Sequence, residues 1–588
     1  MIAMAMLEAF RQFLRDPGGV LPRDAINHEL KPYDSDAERA VGLGYLDPQA
    51  MPDDPDKACI IGVIDDAMPF AHESLRTESG HSRVAAYWAQ DAVHDPAAPV
   101  GGDLPSGVEL RGQMIDALLE RLGAATLPDE DALYRRAGTV DFARPQRHSA
   151  AYEAGHGASV LGLAARFDPW DARGRNHPVL AVGLPARVSE DSMGVLAPLY
   201  ILASIMFIIT RARRLCRMIE DVRGLPAHSV KMPVVINISY GISAGPRDGS
   251  TLLERFIDAV STMQASDLGP IRFVLPMGNH RQARLVGVGR RGDQVGWRIQ
   301  PDDLTHSAVE IWGPRHRNRP ERPFAIHLAA PGMEPVATVF SAHGQMSLLR
   351  DATGAEIARA YYQSIRGEGG RWREGITVIA PPTCPGELGQ PYAPPGDWAI
   401  RIDPSAPSGA YEISVQRDET IHGFHREARQ SRLEDPRYTV REPNDRAILL
   451  DLPSSPGQRP IVRRRGTISA YAGGRAAIRA GSANGLARGA SFYSGLNRGG
   501  SSGDVQTFVD PSDARLGTSV QGRDSGARRY GTGTSMSAPQ ITRWLAATLA
   551  NGTVPNDRAA AVALADAVSR GLAGAVPILP SESNRPEF

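Results

Sequence analysis

Cys59-Ile60-Ile61-Gly62-Val63-Ile64 is an apolar run with no polar residue interleaved. A strand wet on one side alternates apolar and polar residues, whereas an unbroken run predicts a strand covered on both faces, as in a parallel sheet. Similar runs recur at 178–182, 233–239 and 271–275. Helical spacing appears between them, at 159–167, 200–220 and 252–265. Strand alternating with helix predicts an α/β fold, a parallel sheet flanked by helices. In such sheets functional groups collect at the carboxyl ends of the strands, where the loops converge.

The pattern changes after residue 283. Short alternating stretches at 295–299, 324–328, 336–340, 398–402 and 411–415 lie between Gly and Pro turns, which predicts an inserted antiparallel β-sandwich over 283–430. The expected organisation is an N-terminal arm (1–55, with a short helical pattern at 7–14), a first α/β part (56–282), the insertion, a second α/β part (431–575) and a C-terminal tail (576–588). Within the second part, the Gly/Ser-rich stretch 473–503 reads as loops, and helices are expected at 538–550 and 557–572.

At 588 residues the chain exceeds what one hydrophobic core organises. Its 65 Lys and Arg against 66 Asp and Glu give a net charge of −1, which supplies no broad field for nucleic acid or an anionic membrane, so neither is expected as a partner. The basic runs 211–217 and 463–465 read as solvated faces. Three scattered cysteines, Cys59, Cys216 and Cys384, provide neither a disulfide framework nor a Cys-based zinc site. The first residues lack a basic region and meet Glu8 and Arg11 before any sustained apolar core. They do not read as a secretory signal, and a cytoplasmic location is expected. The apolar stretch 195–210 contains Pro198 and falls short of the about 20 residues a membrane span needs, so a buried helix is expected there. Gly287-Val288-Gly289-Arg290-Arg291-Gly292 matches the dinucleotide fingerprint, but a strand-like 295–299 follows where a helix would have to hold the pyrophosphate. No H-E-x-x-H, paired Cys-x-x-Cys or P-loop occurs.

Gly533-Thr534-Ser535-Met536-Ser537-Ala538-Pro539 places a serine after small residues that permit a tight turn, and Pro539 suits the first turn of a helix. A helix N-terminus exposes such a serine and favours developing negative charge. Peptide hydrolysis by serine needs a base, an acid that orients the base, and donors for the oxyanion. The seven-residue run resembles the nucleophile signature of the subtilase family, the subtilisin-like serine peptidases. Three further stretches resemble that family's motifs, in its chain order. Ile61-Gly62-Val63-Ile64-Asp65 is similar to the strand ending in the orienting aspartate, with His72 where members often carry a further histidine. Gly155-His156-Gly157-Ala158-Ser159-Val160 resembles the histidine motif, and Phe273-Val274-Leu275-Pro276-Met277-Gly278-Asn279 the strand and loop that present the oxyanion asparagine. The resemblance covers about 56–282 and 431–573.

The resemblance implies Ser535 as nucleophile, His156 as general base, Asp65 as orienting acid, and Asn279 with the Ser535 backbone N–H as oxyanion hole. It also implies that Ser239, Tyr240 and Gly241, in Ile236-Asn237-Ile238-Ser239-Tyr240-Gly241, pair with an extended peptide, with Pro276, Met277 and Gly278 as the opposite wall. Two departures stand out: Asp66-Ala67 replaces a small polar residue plus glycine, and Ala158 replaces threonine. Asp66 could perturb or replace the role of Asp65. The implied activity is a serine endopeptidase acting on protein or peptide through an acyl-enzyme. The alternatives are a peptide ligase or macrocyclase with the same machinery and a non-catalytic peptide-binding protein. No organic cofactor is required. Subtilases often bind calcium through scattered loop oxygens, and no calcium site is predicted here. The insertion reads either as packing decoration or as a surface that selects substrate or a partner protein.

Overall fold

The structure is a computed structural model. It describes residues 44–568 apart from 93–103, 105, 125–126, 142–148, 152–154, 190–193, 195, 368–369, 385–389, 420–426, 452–458 and 488. The expected helix at 7–14 and the tail lie outside the described residues.

The run that opens the sequence reading becomes strand β1 (Ile60–Asp65) at the heart of a nine-stranded sheet. The sheet also contains β2 (Val84–Ala89), β3 (Val108–Arg111), β4 (Val179–Gly183), β5 (Val234–Ile238), β6 (Ile271–Pro276), β7 (Ile478–Asn484), β8 (Gly489–Ala490) and β9 (Val505–Asp510). The order is β8-β7-β6-β5-β1-β4-β2-β3, with β9 beside β7. β1 runs parallel to both neighbours, Val63 standing opposite Ala181 of β4 and Asn237 of β5. Only β2 with β3 and β7 with β8 pair antiparallel within this sheet.

Helices cover both faces: α1 (His156–Ala165), α2 (Ala197–Arg223), α3 (Leu252–Ser261) and α4 (Thr534–Ala550). The side chains of β1 divide between two cores, as the period of two in a strand requires. Ile60 and Ile64 pack with Phe207 of α2 and Ile257 of α3. Ile61 and Val63 pack with Val160 of α1 and Ile541 of α4. Each such aliphatic side chain, fully buried, contributes roughly 1.5–3 kcal/mol. Helix α3 begins with a capping box, Thr251 and Glu254 satisfying each other's backbone N–H.

The apolar stretch 195–210 falls largely within α2, which is buried against the sheet. Among the described residues no helix is long and apolar enough to cross a membrane. The basic run that follows is only partly solvated: Arg211 is fully buried and forms a bidentate pair with Glu109 of β3 at 2.8 and 2.7 Å. Arg217, further along the helix, pairs with Glu220 and Asp221.

The Gly/Ser-rich stretch 473–503, expected as loops, contains β7 in the central sheet, paired parallel with both β6 and β9. Small residues are needed there because neighbouring backbone approaches closely. A Cβ on Gly481 would stand 2.1 Å from the Ser502 carbonyl oxygen, and Ser537 donates to the Gly481 carbonyl at 2.6 Å. In β7 tight packing, not a turn, explains the composition, while most of the other described residues of the stretch form turns and loops as expected. The expected helix at 538–550 starts four residues earlier, at Thr534.

Between β6 and β7 the chain forms two antiparallel sheets. One orders Val336–Ala337, Ile326–Ala329, Gly396–Ile402, Gln294–Ile299 and Arg432–Glu434. The other orders Met346–Arg350, Glu356–Arg366, Trp372–Ala380, Ser307–His316, Tyr411–Val415 and Val286–Gly289. Trp297 and Trp398 meet edge to face at 5.9 Å in their shared core, with Ile311 and Val378. The dinucleotide-like motif is where the chain leaves one sheet for the other, and no helix follows it. Arg432–Glu434 pairs with Gln294–Ile299, and Ile461 and Val462 join the same core. The inserted unit therefore extends past residue 430, where the sequence pattern placed its end.

Candidate active site

Parallel strands β1, β5 and β6 end on one side of the sheet, and their carboxyl-terminal residues gather there with the N-termini of α1 and α4. Asp65 is the last residue of β1 and is buried. His156 is the first residue of α1. Its Nδ1 lies 2.6 Å from Asp65 Oδ1. A carboxylate at this distance accepts the Nδ1 proton, which leaves Nε2 as the basic nitrogen. The imidazole is partly open, 38% exposed, against 4% for Asp65.

Asp66 takes a separate position. Its backbone N–H donates to Asp65 Oδ1 at 2.9 Å, and its own Oδ1 accepts the backbone N–H of Gly157. The residue preceding α1 is Gly155, which has no side chain to cap the helix. The Asp66 carboxylate supplies that acceptor from across the fold, so Asp66 does not replace Asp65 at the imidazole.

The electrostatics follow from this crowding. Burial lowers the His156 pKa, but the charge and hydrogen bond of Asp65, then the charge of Asp66, outweigh it and raise it above the ordinary imidazole value, while Arg417 opposes them. Burial, then the charge of Asp65, pushes the Asp66 carboxyl well above the usual carboxylate range.

Ser535 is the second residue of α4, behind Gly533 with φ +111°. That backbone conformation is rarely open to residues with a Cβ. A Cβ there would also stand 2.9 Å from Asn279 Nδ2 and 3.4 Å from Ser535 Oγ, so serine hydroxyl and asparagine amide face the same small space. The turn is fixed from several sides. Tyr493 Oη accepts from Gly533 N at 3.0 Å and donates to the buried Asp510 at 2.7 Å. Ser239 Oγ donates to the Ser535 carbonyl at 3.1 Å, and Asn237 Nδ2 donates to Ser239 at 3.0 Å.

Asn279 follows β6 and is exposed. Its Oδ1 accepts both the backbone N–H of Thr534 at 2.8 Å and the Thr534 hydroxyl at 2.9 Å. Two donors on the oxygen fix which way the amide points, and leave Nδ2 for the groove.

Asp65, Asp66, His156, Asn279 and Ser535 line one groove of about 260 Å³ with Ser239, Tyr240, Gly241, Pro276 and Gly278. Met277, expected beside them, does not line it: its side chain is fully buried, its N–H donates to Ala480 of β7 and its carbonyl accepts from Ser469. Successive residues of an extended segment point to opposite sides, so Pro276 and Gly278 face the groove while Met277 faces the core. The structure adds His280, Arg417, Glu419 and Ser469 to the lining. None carries a motif of its own, and Arg417 and Glu419 come from the inserted unit, more than a hundred residues from any other lining segment that precedes them. Among the described residues, no cluster of three or more His, Cys, Asp or Glu is arranged to hold a metal ion.

No family model matches the chain, and no curated protein matches it. Among solved structures it is similar to the CspB protease of Clostridium perfringens, with a TM-score of 0.51 at 14% identity, covering 85% of this chain and 84% of that one. The likeness is one of fold.

Proposed function

We propose that the protein is a serine endopeptidase in which Ser535 attacks a peptide carbonyl. The observation that carries the reading is the 2.6 Å contact of His156 Nδ1 with the buried Asp65, in the groove that also holds Ser535 and the Asn279 amide. His156 Nε2 takes the hydroxyl proton as Ser535 Oγ bonds to the carbonyl carbon, and Asp65 holds the imidazole in the required tautomer. The oxyanion receives donors from Asn279 Nδ2 and from the Ser535 backbone N–H, which at the second position of α4 is among the N–H groups left free by the helix. The proton then passes from His156 to the leaving amine, and water repeats the sequence on the acyl-enzyme. The fold likeness to a protease supports the same class.

Labelling with an active-site fluorophosphonate tests this. Wild type should be labelled, and Ser535→Ala and His156→Ala should not; equal labelling of Ser535→Ala would overturn the assignment. Mass spectrometry of peptide products separates hydrolysis from transfer to an amine.

A further inference from the structure

The inserted unit reaches the groove through the residues that follow its strand Tyr411–Val415. Gln416, 5% exposed, pins this exit to the central unit: its Oε1 accepts from Ser243 N at 3.1 Å and Ala244 N at 3.2 Å, and Ser243 Oγ donates to the Val415 carbonyl at 2.9 Å. Ser243 and Ala244 lie just beyond the groove segment Ser239–Gly241. The same Gln416 Oε1 accepts the backbone N–H of Arg417 at 2.9 Å. The backbone of Arg417 is therefore fixed relative to the wall against which an extended peptide would lie.

The Arg417 side chain lines the groove, 26% exposed, and pairs with Glu419 at 2.7 Å. It shares the groove lining with His156 and His280, and its charge lowers the pKa of both. Burial, then Arg417, holds His280 down at about 4, so His280 is neutral at physiological pH and can donate or accept a hydrogen bond without adding charge. Glu419 is 46% exposed. Ion pairs this open to water contribute little, so exchanging Glu419 for another carboxylate costs little. A guanidinium with a fixed backbone and a replaceable partner is suited to bidentate capture of an incoming carboxylate.

We propose that Arg417 reads an acidic side chain of the substrate beside the bond that is attacked, the substrate carboxylate taking the place of Glu419. The inserted unit then forms a wall of the specificity site and is not a remote decoration. This rests on the peptidase reading above, and the two fail separately. Fluorophosphonate labelling of the wild type reads the Ser535 machinery alone, and substrate preference reads Arg417.

The experiment is cleavage of an unbiased peptide library by the full chain, followed by kcat/KM on matched peptides that differ only as Glu against Gln, or Asp against Asn, at the selected position. The wild type should enrich acidic residues next to the cleaved bond. Arg417→Ala should reduce the acid-to-amide ratio of kcat/KM about 10- to 100-fold, the range of one charge-assisted hydrogen bond, and Arg417→Glu should turn the preference toward Lys or Arg. Raised salt should compress the wild-type ratio. A library profile without acidic enrichment, a basic preference, which would assign the site to Glu419, or an acid-to-amide ratio unchanged in folded Arg417→Ala would each overturn the proposal.

Discussion

The Asp66 carboxylate accepts the backbone N–H of Gly157, one residue past His156, while its neighbour Asp65 holds the imidazole itself. Two consecutive carboxylates at the end of one strand thus divide the work on one helix, one fixing its first turn and the other its first side chain. Position 157 must lack a side chain for this, since a Cβ there would stand 2.4 Å from Asp66 Oδ1.

Asp66→Asn retains an acceptor oxygen for Gly157 and removes a carboxyl whose burial raises its pKa. A carboxyl with a folded pKa above its unfolded value takes up a proton on folding. Its contribution is present below the unfolded value of about 3.9 and is lost as pH rises through the folded one. The Tm of Asp66→Asn relative to wild type should therefore increase from pH 4 to pH 8, and a difference that stays flat refutes the buried-carboxyl account. Asp66→Ala, which also removes the acceptor, should be less stable than Asp66→Asn by about 1 kcal/mol at any pH in this range, the typical value of a helix cap.

The His156 pKa is raised, and a general base must be neutral to act. The acidic limb of kcat/KM against pH should accordingly have its midpoint above the ordinary imidazole value of about 6.5. Asp65→Asn removes the nearest raising charge, so the midpoint should move down, with a loss of rate on the order of 10⁴-fold from the wrong tautomer. A midpoint that does not move in the variant would count against Asp65 as the partner that matters.

With Asn279 as the proposed oxyanion donor, Asn279→Ala removes an interaction that matters more in the transition state than in the bound substrate. Turnover should fall on the order of 10²–10³-fold with little change in KM. Thr534→Val leaves Asn279 in place but removes one of the two donors that orient its amide. A smaller loss, again in kcat, is expected from steady-state kinetics. A loss confined to KM in either variant would assign Asn279 to substrate binding instead.

Arg211→Met removes the bidentate partner of the buried Glu109 and leaves that carboxylate facing Arg111 Nε at the longer distance of 3.7 Å. The expected loss is about 3–5 kcal/mol in urea unfolding, and the double variant Arg211→Met/Glu109→Leu should recover most of it. If the double variant is no more stable than the single, the pair does more than neutralise itself.

The strands of the central sheet were legible because burial on both faces writes an unbroken apolar run, as in β1, β5 and β6. Strand β7 was not, because close backbone packing selects the same Gly and Ser residues that loops use. The far edge of the inserted unit was misplaced for a related reason. Arg432–Glu434 is a three-residue strand with no alternation long enough to read, and only its pairing with Gln294–Ile299 shows where it belongs.

At the site, local chemistry marked the residues whose neighbours in the chain are constrained with them: Ser535 behind a glycine at positive φ, His156 opening a helix between glycines, and Asp65 closing a strand. Relations across the chain are another matter. The division between Asp65 and Asp66, the turning of Met277 into the core and the arrival of Arg417 and Glu419 depend on which segments the fold brings within a few ångströms. The sequence alone determined the α/β class and marked the candidate site residues, since periodicity and turn geometry are properties of adjacent residues. Tertiary structure alone decided which carboxylate meets the imidazole and which distant charges border the groove, since hydrogen bonds and Coulomb interactions depend on distance in space.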